Sequence, residues 1–260
     1  MERAVAMSFS RERAQLLGGL VYGLTLSLGC SAPAADEGPN GKPDAEAATS
    51  SNAHGFDVSH HQGEIDWTQL AAGDFVFIKA SEGVDYEDPL FAVNWRGARD
   101  RGLLRGAYHM FRPEDEVAPQ VRFFVALLER VGYGAGDLPP ALDVESNSGV
   151  AEVSRQLLRD RSLAWLDQVE RRLGRRPVLY TNPSFWRGYL EPEHPLTSYP
   201  LWLAAYSDAD PPELVEGWRW TFWQYTEGGT LPGIAKPVDL NRFAGSREQL
   251  RAFAGGQRQP

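Results

Sequence analysis

Residues 201–243 read LWLAAYSDADPPELVEGWRWTFWQYTEGGTLPGIAKPVDLNRF. Three short runs in this stretch, Leu201–Tyr206, Phe222–Tyr225 and Val238–Phe243, have the β-branched and aromatic composition of strands. Pro211 and Pro212 lie between the first two runs, and Gly228, Gly229, Pro232 and Gly233 lie between the second and third. Such residues break helices. Neither connection therefore has room for the crossover helix that a parallel pair normally requires. Loops or hairpins are expected to join these three strands.

The chain upstream has a different texture. Gly55–Ser59, Phe75–Ala80, Arg105–Phe111, Ala141–Glu145 and Val178–Thr181 read as five more strands, with amphipathic helical stretches between the early ones. Leu158, Trp165, Val169 and Leu173 form one apolar stripe, and Gly174 supplies its C-terminal cap. Strand–helix alternation implies parallel pairing, and eight strands suggest a closed barrel. The expected fold is α/β, a distorted TIM-like barrel of five β–α units followed by three strands. Gly132, Gly134 and Gly136 do not make a dinucleotide fingerprint, because they follow a helix and lack the third glycine spacing.

Catalytic side chains in such barrels sit at the C-terminal ends of strands. Acids stand there repeatedly: Asp57 on the first strand, Glu82 near the end of the second, Asp143 and Glu145 on the fourth, Asp239 on the eighth. Burying an unpaired carboxylate is costly, so apolar strands seldom carry one without a reason. Asp143 and Glu145 are two apart, which turns both into one cavity and leaves Val144 facing the helices. Two close carboxyls cannot both ionise easily, so one stays protonated near neutral pH. A proton donor beside a carboxylate is what glycoside hydrolysis requires. Trp202, Trp223, Tyr108 and Tyr180 also fall at strand ends, where aromatic faces could stack on sugar rings. Of Tyr108 and His109, one must point into the barrel. His60 and His61 face opposite sides of an extended chain, so at most one could join Asp57. Neither a metal site nor a cofactor is expected.

The amino-terminal residues read as an address. Arg11 and Arg13 precede an apolar run, Leu16–Leu28, too short for the roughly 20 residues a bilayer span needs. It ends Leu26-Ser27-Leu28-Gly29-Cys30, similar to a bacterial lipobox, in which the cysteine becomes the lipidated first residue. Residues 1–29 are read as a signal peptide and 30–53 as a tether of small and polar residues that cannot bury enough surface to order itself. Residues 54–250 then form the catalytic barrel and 251–260 a tail. Cys30 is the single cysteine, which excludes an intrachain disulfide. The formal charge of −9 argues against a nucleic-acid partner.

Asp57-Val58-Ser59-His60-His61-Gln62-Gly63, followed by Ile65-Asp66-Trp67, resembles the opening of the glycoside hydrolase family 25 lysozymes, the Chalaropsis-type muramidases. The resemblance continues through Phe77-Ile78-Lys79-Ala80-Ser81-Glu82-Gly83, Gly106-Ala107-Tyr108-His109, Leu142-Asp143-Val144-Glu145, Leu179-Tyr180-Thr181 and Trp202-Leu203-Ala204. It closes with Trp223-Gln224-Tyr225 and Val238-Asp239-Leu240-Asn241, so it runs in order from about residue 55 to 246. It implies a (β/α)5β3 barrel that cleaves the β-1,4 bond between N-acetylmuramic acid and N-acetylglucosamine in peptidoglycan. By position it implies Glu145 as general acid and Asp143 as the carboxylate assisting the substrate acetamido group, with Asp57 and Asp239 as further acids of the groove. Glu82, Tyr108 and Gln224 fall on cleft positions, whereas Met110 stands where an aromatic is common. The implied partners are glycan strands and, through Cys30, a membrane; the implied state is a monomer. A hydrolase of chitin-like polymers and a catalytically silent wall-binding module are the alternatives, the latter expected to lack one of the acids.

Overall fold

A computed structural model describes residues 52–256 apart from 71–72, 147, 192–194, 208 and 212. The signal peptide, Cys30 and most of the tether read from the sequence lie outside the described residues. Strand β1 (His54–Val58) pairs in parallel with β2 (Phe75–Glu82), on whose end β3 (Tyr86–Glu87) folds back antiparallel. Helix α1 (Phe91–Asp100) leads to β4 (Leu104–Met110), α2 (Val117–Arg130) to β5 (Ala141–Asp143), and α3 (Arg155–Leu173) to β6 (Val178–Thr181). The short α4 (Pro183–Phe185), continued by a π turn over Trp186–Leu190, precedes β7 (Leu201–Ala204). Strand β8 (Trp220–Gly229) turns back into β9 (Val238–Phe243), and α5 (Arg247–Ala254) follows. Parallel pairing runs from β1 around to β8, and β9 closes the ring antiparallel to both β8 and β1.

The connection from β7 to β8 corrects one expectation. It carries no helix among its described residues, as its prolines require, yet β8 lies parallel to β7. Trp218 takes the place of a covering helix. It is buried in the core with its indole N–H donating to the Tyr199 carbonyl at 2.9 Å, and Leu214 and Val215 pack against the same core. Among its described residues the first connection likewise carries a 3-10 turn, His60–Gln62, and no α-helix. Strands β6 and β9 span the residues read from the sequence, whereas β3 was not read. Helix α5 runs past residue 250 and buries Phe253 and Ala254, so the packed domain extends beyond the boundary read there.

Alternation along each strand divides the molecule into two apolar clusters. Val76, Ile78, Ala107, Leu142, Val144, Leu179 and Leu203 face outward, where α1, α2 and α3 cover them. Phe75, Phe77, Ala141, Val178, Trp202, Phe222 and Phe243 fill the barrel. Each phenylalanine, leucine, isoleucine or valine among them contributes about 1.5–3 kcal/mol by leaving water. Gly106 on β4 is small for a steric reason, because a β-carbon there would lie 2.3 Å from the Phe77 ring. Phe77 in turn stacks on Trp202 at 4.4 Å. Helix α3 starts at Ser154, whose side chain accepts from the Leu157 N–H, and ends at Gly174 with φ of 65°.

Candidate active site

Above this aromatic floor the inward positions turn polar. A cavity of about 90 Å³ at the C-terminal ends of the parallel strands is lined by Asp57, Tyr108, Asp143, Glu145, Tyr180, Trp202, Gln224 and Asp239. Because β9 runs the opposite way, its first residues, with Asp239, reach the same rim as the last residues of the others. All eight were read as site residues from the sequence. A larger cavity of about 600 Å³ lies at the opposite end of the barrel around Arg175, Tyr199 and Trp218, and among the described residues no acidic side chain lines it.

Asp143 and Glu145 enter the cavity together, and Val144 between them packs outward in the core. Burial, then the neighbouring Glu145 charge, pushes the Asp143 carboxyl well up, with the Lys79 ammonium opposing. Glu145 is also raised, by burial first, with Lys79 again opposing and Asp239 adding to the rise. Ionising both carboxyls together is therefore disfavoured, the more deeply buried Asp143 most of all. Asp143 Oδ1 is buried without a hydrogen-bond partner. Such an atom costs about 1–3 kcal/mol and is seldom kept without a use.

Asp57 and Asp239 are register partners across the β1–β9 ladder, and both side chains line the cavity. Burial, then the Asp239 charge, pushes Asp57 well up, while burial brings Asp239 to about 6. Asp57 Oδ2 accepts from Gln224 Nε2 at 2.9 Å and from Asn241 Nδ2 at 2.7 Å. Burial and the surrounding acids keep Tyr108 and Tyr180 as neutral phenols.

One substrate-binding expectation is corrected. Trp223 is fully buried and points away from the cavity, its indole N–H donating to the Ala205 carbonyl at 2.7 Å. Its neighbour Gln224 faces inward, and adjacent strand residues cannot share a face. Glu82 lines a separate cleft of about 420 Å³ with His60, His61 and Arg112 rather than the acid cavity. Although burial opposes it, Lys79 Nζ at 2.8 Å and the Arg112 guanidinium hold Glu82 below the usual range. His60 bonds Asp88 at 2.8 Å and does not approach Asp57. Tyr108 is the inward member of its pair; His109 is buried behind it against Ser81 and Gln120.

Three residues were missed. Asn241 lies two past Asp239 on one strand face, so alternation could have found it. Lys79 is in phase with Phe75 and Phe77, and a lysine at such a position requires acids nearby. Tyr206, 55% exposed beside the cavity with its hydroxyl 3.2 Å from Gln224 Oε1, follows β7 and gives no periodic signal.

Residues 56–234 match the family described as glycosyl hydrolases family 25. The Escherichia coli protein YegX is 39% identical over 214 residues, 78% of this chain and 74% of that one. Lysozyme M1 of Streptomyces globisporus is 33% identical over 80% of this chain and 73% of its own. The crystal structure of a bacterial lysozyme from Streptomyces coelicolor superposes with a TM-score of 0.72 at 32% identity, over 80% of this chain and 99% of that one.

Proposed function

The chain belongs to glycosyl hydrolase family 25 and is a glycoside hydrolase, and on that premise we propose that it cleaves the β-1,4 bond between N-acetylmuramic acid and N-acetylglucosamine in peptidoglycan. Glu145 is the general acid and protonates the departing glycosidic oxygen. The substrate's own acetamido oxygen attacks the anomeric carbon, and Asp143 accepts the acetamido N–H as positive charge develops on that group. A water deprotonated by Glu145 then opens the ring, and the configuration is retained after two displacements.

The observation that carries this reading is the buried, unpartnered Asp143 Oδ1 next to a second acid. An incoming N–H would satisfy that atom and stabilise the Asp143 carboxylate. The shared proton would then move to Glu145, where the leaving oxygen needs it. Substrate binding thus arms the acid.

Asp57, Asp239, Tyr108 and Tyr180 shape the cavity around the sugar. The enzyme works as a monomer, exported and held to a membrane through lipidated Cys30; the support is the sequence Leu26-Ser27-Leu28-Gly29-Cys30 after a short apolar run.

Clearing of a purified wall suspension, followed by mass spectrometry of the released ends, tests the reading. Reducing N-acetylmuramic acid ends are expected; reducing N-acetylglucosamine ends, or no release, would overturn it.

A further inference from the structure

The larger cavity, about 600 Å³ against about 90 Å³ for the acid-lined one, has the opposite chemistry. Arg175, Arg176 and Arg219 line it together with Tyr199, Trp218 and Phe253, and among the described residues no acidic side chain does. In a chain of formal charge −9, three guanidinium groups gathered on one cavity run against the average. Its volume falls in the range of sites for small organic ligands, roughly 300–1,000 Å³.

The three cations are not equally neutralised. Arg176 is ion-paired with Glu170 at 3.2 Å and Arg219 with Glu213 at 3.0 Å, and neither acid lines the cavity. Arg175 is held differently. Its Nη2 donates to the backbone carbonyls of Ala254 at 2.8 Å and Asp137 at 3.3 Å, while the Asp137 carboxylate is taken by Arg105 at 2.7 Å. Carbonyl groups orient a guanidinium without cancelling its charge. Half-buried and braced in this way, Arg175 keeps a positive charge for a guest, and its planar fork suits an oxyanion. Beside it the Arg176 guanidinium lies 4.3 Å from the Tyr199 ring centroid, and its Nη2 donates to the Ser198 carbonyl at 2.8 Å. The wall therefore sets fixed positive charge next to aromatic surface, which fits an anion attached to an apolar body.

Position narrows the guest. Arg175, Pro200 and Arg219 stand just before β6, β7 and β8, so the cavity lies at the strand ends opposite to the acids. Strand β1 also begins at that end, with His54, so the chain enters the barrel on the face that carries the guanidinium groups. We propose that this cavity binds the phosphodiester headgroup of an anionic phospholipid. Arg175 takes the phosphate, and the rings of Tyr199, Trp218 and Phe253 take the glycerol and the first methylenes. A domain seated in this way turns its acids away from the bilayer. The choice of a lipid over a soluble phosphodiester rests on the anchor proposed at Cys30, and the test separates the two.

Isothermal titration calorimetry of the purified full-length protein compares soluble probes. They are dihexanoyl-phosphatidylglycerol below its micellar concentration, its deacylated headgroup glycerophosphoglycerol, dihexanoyl-phosphatidylcholine and inorganic phosphate. The phosphatidylglycerol is expected to bind one to one. The choline lipid should bind much more weakly, because its own ammonium is repelled by the guanidinium groups. Arg175→Gln should weaken binding about tenfold or more, the loss of one hydrogen bond to a charged group, with wall clearing unchanged. Arg175 also braces α5, so Arg219→Gln is the second variant; its exposed side chain makes it the safer replacement, and it should weaken binding by a smaller factor. No binding of the phosphatidylglycerol, equal affinity for both lipids, or full affinity in both variants would overturn the proposal. Glycerophosphoglycerol or phosphate binding as tightly as the lipid would overturn the lipid as the guest in favour of a soluble phosphate ester. Binding as stated by a protein that clears no wall would instead overturn the cleavage reading and leave this site standing.

Discussion

The imidazole of His109 lies nearly flat against the indole of Trp165, ring centroids 5.4 Å apart and planes 10° from parallel. It is fully buried, with Ser81 Oγ at 2.8 Å on Nδ1 and Gln120 Oε1 at 3.0 Å on Nε2. Burial is the main reason its pKa falls to about 4 from 6.5. The unfolded chain therefore binds more protons than the native one between those values. Stability from this residue is complete above about pH 6.5 and is lost as pH falls toward 4, by roughly 3 kcal/mol. The raised carboxyls of the cavity act in the opposite sense, so the comparison must be made against His109→Gln. Denaturant midpoints at pH 7.5 and 4.5 should differ more in the wild type than in that variant; equal differences would contradict the buried neutral imidazole.

The neighbouring acids should fail differently. Glu145→Gln removes the transferable proton and is expected to lower kcat on wall substrate about 10² to 10⁴-fold. An aryl glycoside with a good leaving group needs little protonation, so activity there should partly return. Asp143→Asn should not be rescued, because closure of the acetamido ring fails whatever leaves. Its melting temperature should rise, since the variant no longer buries a carboxyl against Glu145. Equal rescue of both variants would remove the division of roles.

Trp223 and Tyr206 make a contrasting pair. Trp223→Ala empties a fully buried position and is expected to cost about 3–5 kcal/mol with KM unchanged in the protein that still folds. Tyr206→Ala alters an exposed ring at the cavity rim and should raise KM with stability within about 0.5 kcal/mol. Tyr206→Phe, which keeps the ring, should retain most of the affinity. Calorimetry beside steady-state kinetics separates the two behaviours.

The address at the amino end has its own test. Lipidated Cys30 should carry the protein into a detergent phase, and Cys30→Ala should release it or stall its processing. One acyl chain holds membranes only marginally, whereas several hold firmly. Unchanged partitioning of the variant would defeat the anchor.

Period-two alternation made much of the cavity legible. It joined Asp143 to Glu145 across Val144 and left Tyr108 or His109, but not both, for the interior. Proline and glycine placement made the absence of a helix between β7 and β9, among the described residues, legible. The direction of β8 was not legible, because what anchors its crossover is one tryptophan, Trp218, bonded to Tyr199 far from any repeating pattern. Trp223 was misread for want of applying to β8 the rule already used on β5. Glu82 was separated from the other acids by its ion pairs to Lys79 and Arg112, and a pairing in space leaves no trace in local spacing.

Closure of the ring by β9 against β1 has a consequence for when this enzyme comes into being. Asp57 and Asn241 are 184 positions apart yet share a hydrogen bond, and Asp239 reaches its partner from the same last strand. A nascent chain emerging amino end first holds half of each such contact until its final strand is made. A fragment that lacks β1 or β9 cannot present all four acids. The acid-lined cavity is thus complete only once the last strand has closed the ring.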